Sequence, residues 1–106
     1  MGKREHLIGE LKNFLGKLSK EFKIQNIILF GSRATNKFGK ESDVDLMIVS
    51  QDFDRMDFFE RVAKMYDYWS IDLPVDFICY TPKEFGRLKK RISIVKEALN
   101  TGIILK

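Results

Sequence analysis

The chain is poor in the residues that staple, stiffen or metallate small proteins. It has one cysteine, Cys79, among 106 residues, so it can form no internal disulfide and no clustered-cysteine zinc site. Two prolines and seven glycines exclude collagen-like and low-complexity classes. Its single histidine, His6, falls beside an apolar stripe and reads as a surface residue rather than a ligand. No apolar run approaches the roughly 18–20 residues of a membrane span. Met1 to Glu10 holds no apolar stretch followed by a small-residue cleavage site, so no secretory leader is expected. A reducing cytoplasm is the expected compartment.

What is present is ordinary globular composition, 44% apolar and 32% charged. This length predicts one domain over 1–106, able to bury roughly 60–70% of its extended surface. The net charge is +4, which permits a polyanionic partner without requiring one. Basic residues are spread along the chain; the densest run, Lys89-Lys90-Arg91, reads as a solvated helix face.

Leu7, Ile8, Leu11, Phe14, Leu15, Leu18 and Phe22 recur at spacings of three and four, predicting an amphipathic helix over about 3–22. Ile24 to Phe30 is a β-branched and apolar run ending at Gly31-Ser32, and reads as a buried strand. Asp43 to Ser50 is a second strand. Phe58, Phe59, Val62, Met65, Tyr66 and Trp69 mark another helix, capped by Asp54 or Asp57, with its aromatics in the core. Val75 to Tyr80 is a third strand. Thr81-Pro82-Lys83-Glu84 is a capping box with proline at the first helical position. The helix it opens carries Phe85, Leu88, Ile92, Val95 and Leu99 inward, with a break near Arg91, and ends at Gly102 in a left-handed conformation. Ile103 to Leu105 is a short apolar tail with strand character. The order predicts an α/β (α+β) fold, a small mixed sheet flanked by helices.

Chemistry concentrates between Gly31 and Leu46. On a strand, Asp43 and Asp45 point to one face. Asp76 opens the next apolar strand in the same way. If those two strands are parallel neighbours, three carboxylates converge at one edge. Unit charges about 4 Å apart repel by about 4 kcal/mol at an effective dielectric of 20. Three such pairs approach the whole stability of a domain, about 5–15 kcal/mol. Raised pKa values, separation or a bound cation must offset this. Hard oxygen donors without histidine or cysteine select magnesium or manganese over zinc. The other reading leaves Asp43 and Asp76 as caps or edge charges that never meet.

Gly31 lets the backbone approach a ligand, Ser32 can donate to a phosphate oxygen, and Arg33 offers a planar cationic fork. Gly-Ser alone is a common turn. Its weight comes from standing at the end of one strand with Asp-x-Asp opening the next. If these strands are antiparallel, an anion cradle and the carboxylates share one edge, as metal-assisted phosphoryl transfer requires.

Gly31-Ser32, ten residues, then Asp43-Val44-Asp45 resembles the signature of the DNA polymerase beta-type nucleotidyltransferase superfamily. Gly31-Ser32-Arg33-Ala34 with Ser42-Asp43-Val44-Asp45-Leu46 resembles, more narrowly, the minimal nucleotidyltransferases, or MNT proteins. The four fixed residues would arise by chance in about one chain per thousand of this length. The resemblance spans nearly the whole chain. It implies that Asp43, Asp45 and Asp76 hold two Mg2+ ions, with Mn2+ an alternative. Asp76 would also help activate the attacking hydroxyl, while Gly31, Ser32 and Arg33 grip the triphosphate. It implies ATP as default donor, AMP as the group transferred, and a HEPN-type toxin as partner in a toxin–antitoxin pair. Many relatives follow Gly-Ser-Arg-Ala with a basic residue and a glycine. Here Thr35-Asn36-Lys37 takes that place, and Lys37 and Lys40 keep the loop cationic. The acceptor-binding domain of larger relatives is missing, so the acceptor is expected on a partner, in a hetero-oligomer.

Two other functions compete with this one. A nucleotide-binding but non-catalytic module would mask its partner and turn nothing over. Transfer to RNA or an antibiotic is allowed by the basic charge and disfavoured by the missing substrate domain. No membrane partner is expected.

Overall fold

The computed structural model describes residues 3–34 and 43–106. Helix α1 (Lys3–Leu18) leads into strand β1 (Ile24–Phe30) and a 3-10 turn at Ser32–Ala34. Strand β2 (Val44–Ser50) is followed by a 3-10 helix at Gln51–Arg55 and helix α2 (Phe58–Tyr66). Strand β3 (Val75–Tyr80), helices α3 (Pro82–Leu88) and α4 (Ile94–Thr101), and strand β4 (Ile103–Ile104) complete the order. The sheet runs β3-β2-β1-β4, with β2 parallel to β3 and β1 antiparallel to both β2 and β4. This is the mixed sheet flanked by helices that the sequence predicts. Among the described residues no helix is long and apolar enough to cross a membrane.

Both faces of the sheet are covered, which explains why the strands read as continuous apolar runs. One face meets α1 and α2. There Leu7, Leu11, Phe14 and Leu18 pack with Ile27, Leu29, Leu46, Ile48, Phe77 and Met65. The other face meets α3 and α4, where Ile28, Phe30, Met47 and Val49 pack with Phe85, Val95 and Ala98. The period of two sorts each strand between the layers. Asp45 and Asp76 alternate with Val44, Leu46, Val75 and Phe77, so they fall on the α3–α4 face. Cys79 is buried, and burial pushes its thiol up to about 12, despite the opposing charge of Arg61.

The caps behave as their chemistry dictates. Asp57 caps α2 through the Glu60 N–H, and Thr81 caps α3 through the Glu84 N–H, each as a reciprocal box. Buried Arg61 ties α2 to the far end of the sheet. Its Nε donates to the carbonyls of Phe53 and Met56, and its Nη1 to the Cys79 carbonyl and Glu84, the last at 2.7 Å.

Four local expectations are corrected. Helix α1 stops at Leu18 rather than near residue 22; Phe22 reaches the core from the turn that follows. Phe58, Phe59 and Tyr66 are exposed, not core, because α2 turns Arg61 and Met65 inward instead, and Trp69 packs on the core from beyond the end of the helix. The break near Arg91 is real and separates α3 from α4, but it leaves Ile92 99% exposed rather than inward. Gly102 has φ −85°, not a left-handed conformation. Glycine is required there by space. A Cβ would collide with the Ala98 carbonyl oxygen and sit 2.8 Å from both Ile28 Cγ2 and the Leu29 carbonyl oxygen.

Candidate functional site

Register places the acidic residues. Phe30 of β1 lies opposite Asp45 of β2, and Asp45 lies opposite Asp76 of β3. The three form one row across the sheet, on the α3–α4 face. Both conditions set by the sequence are met: β2 and β3 are parallel, and β1 and β2 are antiparallel. The chain leaves this row directly into Gly31 and the turn Ser32–Ala34, closed by the Ala34 N–H donating to the Gly31 carbonyl at 3.1 Å.

Gly31 is demanded twice. Its φ of 73° lies in the left-handed region, and a Cβ there would collide with Oδ2 of Asp45 and sit 3.1 Å from its Cγ. The missing side chain is therefore what lets the turn and the carboxylate touch.

The electrostatics follow from this crowding. The Asp45 carboxyl is raised above its ordinary pKa first by burial, then by the charge of Asp76, then by that of Asp43. Asp76 is exposed, and Asp43 stands exposed at the residue before β2. Asp45, Asp76, Gly31 and Ser32 line one open cleft of about 780 Å³, with Phe30 and Ile78 beneath and Ile94, Glu97 and Thr101 of α4 as the facing wall. That volume falls within the range of small-molecule sites.

Not every expected site residue arrives there. Asp43 acts on Asp45 through its charge and is not among the residues lining the cleft. Arg33 is also absent from the lining; it is 6% exposed and is held by interactions within the protein. Thr35, Asn36, Lys37, Lys40 and Ser42 lie outside the described residues. Among the described residues, no three acidic, histidine or cysteine side chains form a metal cage by themselves. The donor set nonetheless suits a hard divalent cation: carboxylate oxygens beside a bend whose backbone is open to a ligand. Magnesium keeps few protein ligands and completes its octahedron with water and phosphate, so it needs no closed cage.

Sequence reading missed Ile94, Glu97 and Thr101. Their spacings of three and four place them on one face of α4. The inward pattern through Val95 and Ala98 fixes the buried face and so, by subtraction, this one.

The nucleotidyltransferase domain model matches residues 11–100. Solved structures share the fold. A protein from Sulfolobus solfataricus, provisionally described as a nucleotidyltransferase, superposes with TM-score 0.68 at 21% identity, over 98% of this chain and 87% of that one. A chain of a mutant MntA–HpeT toxin–antitoxin structure superposes with TM-score 0.58 at 20% identity, over 93% of this chain and 72% of that one. No curated protein matches significantly in sequence.

Proposed function

Because the chain belongs to the nucleotidyltransferase domain family, we propose that it transfers AMP from ATP to a hydroxyl on a partner protein, releasing pyrophosphate. The observation that carries this reading is the row Phe30–Asp45–Asp76 opening directly onto Gly31.

Asp45 and Asp76, with Asp43 beside them, would hold one or two Mg2+ ions, or Mn2+. Bound there, the metal would supply charge neutralisation at the α-phosphate and the leaving pyrophosphate. The chain's own residues do the rest. Gly31 keeps the backbone low, so the triphosphate can lie along the turn, and the Ser32 hydroxyl donates to it. Arg33, buried beside the bend, would steady that turn and offer its guanidinium to the triphosphate. Phe30, Ile78 and Ile94 give the nucleotide apolar surface. Asp76, the more exposed of the facing carboxylates, accepts the proton of the attacking hydroxyl.

The partner reading is a HEPN-type toxin, with this chain acting as its antitoxin. It rests on the sequence resemblance and on the fold shared with a chain of a toxin–antitoxin assembly. The test is incubation with α-labelled ATP, Mg2+ and the product of the neighbouring gene. Label on the partner, lost in Asp45→Asn, supports transfer. ATP binding with no pyrophosphate released in the partner's presence supports the alternative, a nucleotide-binding module that masks its partner without catalysis.

A further inference from the structure

The basic run singled out in the sequence does not lie on a helix face. Lys89, Lys90 and Arg91 form the connection between α3 and α4. With Arg87 they make a shoulder carrying four positive charges, and no acid occurs from Arg87 to Ser93. Among the described residues no carboxylate forms an ion pair with any of the four. Ile92 follows at once and is 99% exposed. It borders a groove of about 460 Å³ running along α4 past Lys96. Glu97 and Thr101 line both this groove and the carboxylate cleft, so whatever lies in the groove ends beside Asp45 and Asp76.

We propose that this shoulder and groove are where the acceptor polypeptide docks, and that the docking segment is acidic with an apolar residue seated on Ile92. The proposal rests on the transferase reading and names the chemistry of its partner. Charge decides the sign: four clustered cations, joined by Lys96 and opposed in the groove by Glu97 alone, attract carboxylates and steer them in, over a screening distance of about 8–10 Å. Exposure decides the class. Single-stranded nucleic acid binds on aromatic platforms, and residues 86–93 contain no aromatic. A bare isoleucine beside the cations suits a polypeptide side chain.

The test is fluorescence anisotropy with a labelled random copolymer of glutamate and tyrosine, which is acidic, partly apolar and hydroxyl-bearing. A lysine–tyrosine copolymer and a labelled poly(U) strand serve as comparisons. Wild type is expected to bind the acidic copolymer best, with affinity falling steeply between about 50 and about 200 mM salt. Ile92→Asp should weaken it about tenfold, and Lys89→Glu/Lys90→Glu/Arg91→Glu should abolish it. Lys12→Glu/Lys20→Glu/Lys64→Glu, an equal charge change elsewhere, should leave most of it. Equal loss in the two triple variants, or no loss in Ile92→Asp, overturns the proposal. So does tighter binding of poly(U) that the Lys89–Arg91 reversal removes, since the surface would then be a nucleic-acid site. Asp45→Asn should bind the copolymer as wild type does. Intact docking without AMP transfer by wild type would therefore count against the transferase reading and not against the docking surface.

Discussion

Replacing Gly31 by alanine separates two costs that the structure superimposes. The first is backbone strain: φ of 73° in a residue with a Cβ costs about 1–2 kcal/mol. The second is collision. The new methyl would meet the Asp45 carboxylate, which has to swing away or push the turn aside. The carboxylate is the free end of a flexible side chain, so turning it aside costs about 0.5–1.5 kcal/mol. The sum, about 1.5–3.5 kcal/mol, is a substantial part of a stability of about 5–15 kcal/mol. A double-mutant cycle isolates the second part. In an Asp45→Ala background the colliding oxygen is gone, and the remaining Cβ stands at an ordinary 3.4 Å from the built position. Gly31→Ala should then cost only the strain. Urea denaturation of wild type, both single variants and the double variant gives the coupling directly, expected at about 0.5–1.5 kcal/mol. Equal cost of Gly31→Ala in the two backgrounds would refute the claim that glycine is there to admit the carboxylate.

Asp45→Asn should stabilise the metal-free fold at pH 7 by up to about 1 kcal/mol. It removes a partly buried charge repelled by Asp76 and Asp43, and solvent screening keeps the gain small; a loss of stability in chelator-treated protein would contradict this. Arg61→Met should destabilise by about 3–5 kcal/mol in urea denaturation, because it strands Glu84 and three carbonyls around a buried site. Glu84 is pulled two ways, burial raising its pKa and hydrogen bonds from Arg61 and Thr81 lowering it, with the lowering dominant. Its stabilisation is therefore full above its unfolded pKa, near 4.5, and is lost as pH falls through the folded value. A stability–pH curve for Glu84→Gln should lack that acidic decline, and one parallel to wild type would contradict the assignment.

How far the sequence could be read depended on whether a feature was fixed by local periodicity or by packing between elements. Alternation along β2 and β3 put Asp45 and Asp76 on one side of their strands, and the apolar runs on both sides of them implied a doubly covered sheet. Neighbourhood and direction of the strands had to be assumed, and register is what set Asp45 and Asp76 side by side in one row. Where a residue serves a contact distant in sequence, local rules misled. Gly102 looks like a helix-ending glycine but yields space to Ile28 and Leu29. Ile92 continues the helical spacing of Phe85 and Leu88, yet the break at the basic run swings it into solvent. Phe22 extends the α1 stripe from a turn that three-and-four spacing cannot tell from another helical turn. That Arg33 is buried beside the Gly-Ser bend is likewise invisible in the spacing.

The central claim is that the Asp45–Asp76 row and the Gly31 bend together take a divalent cation with a nucleotide tail. Electron paramagnetic resonance of Mn2+ titrated into the protein tests it most directly, with and without a non-hydrolysable ATP analogue. Wild type should deplete the free Mn2+ signal far more strongly with the analogue present, and Asp45→Asn/Asp76→Asn should leave the signal as it is in analogue alone. Equal depletion by wild type and the double variant would contradict the account.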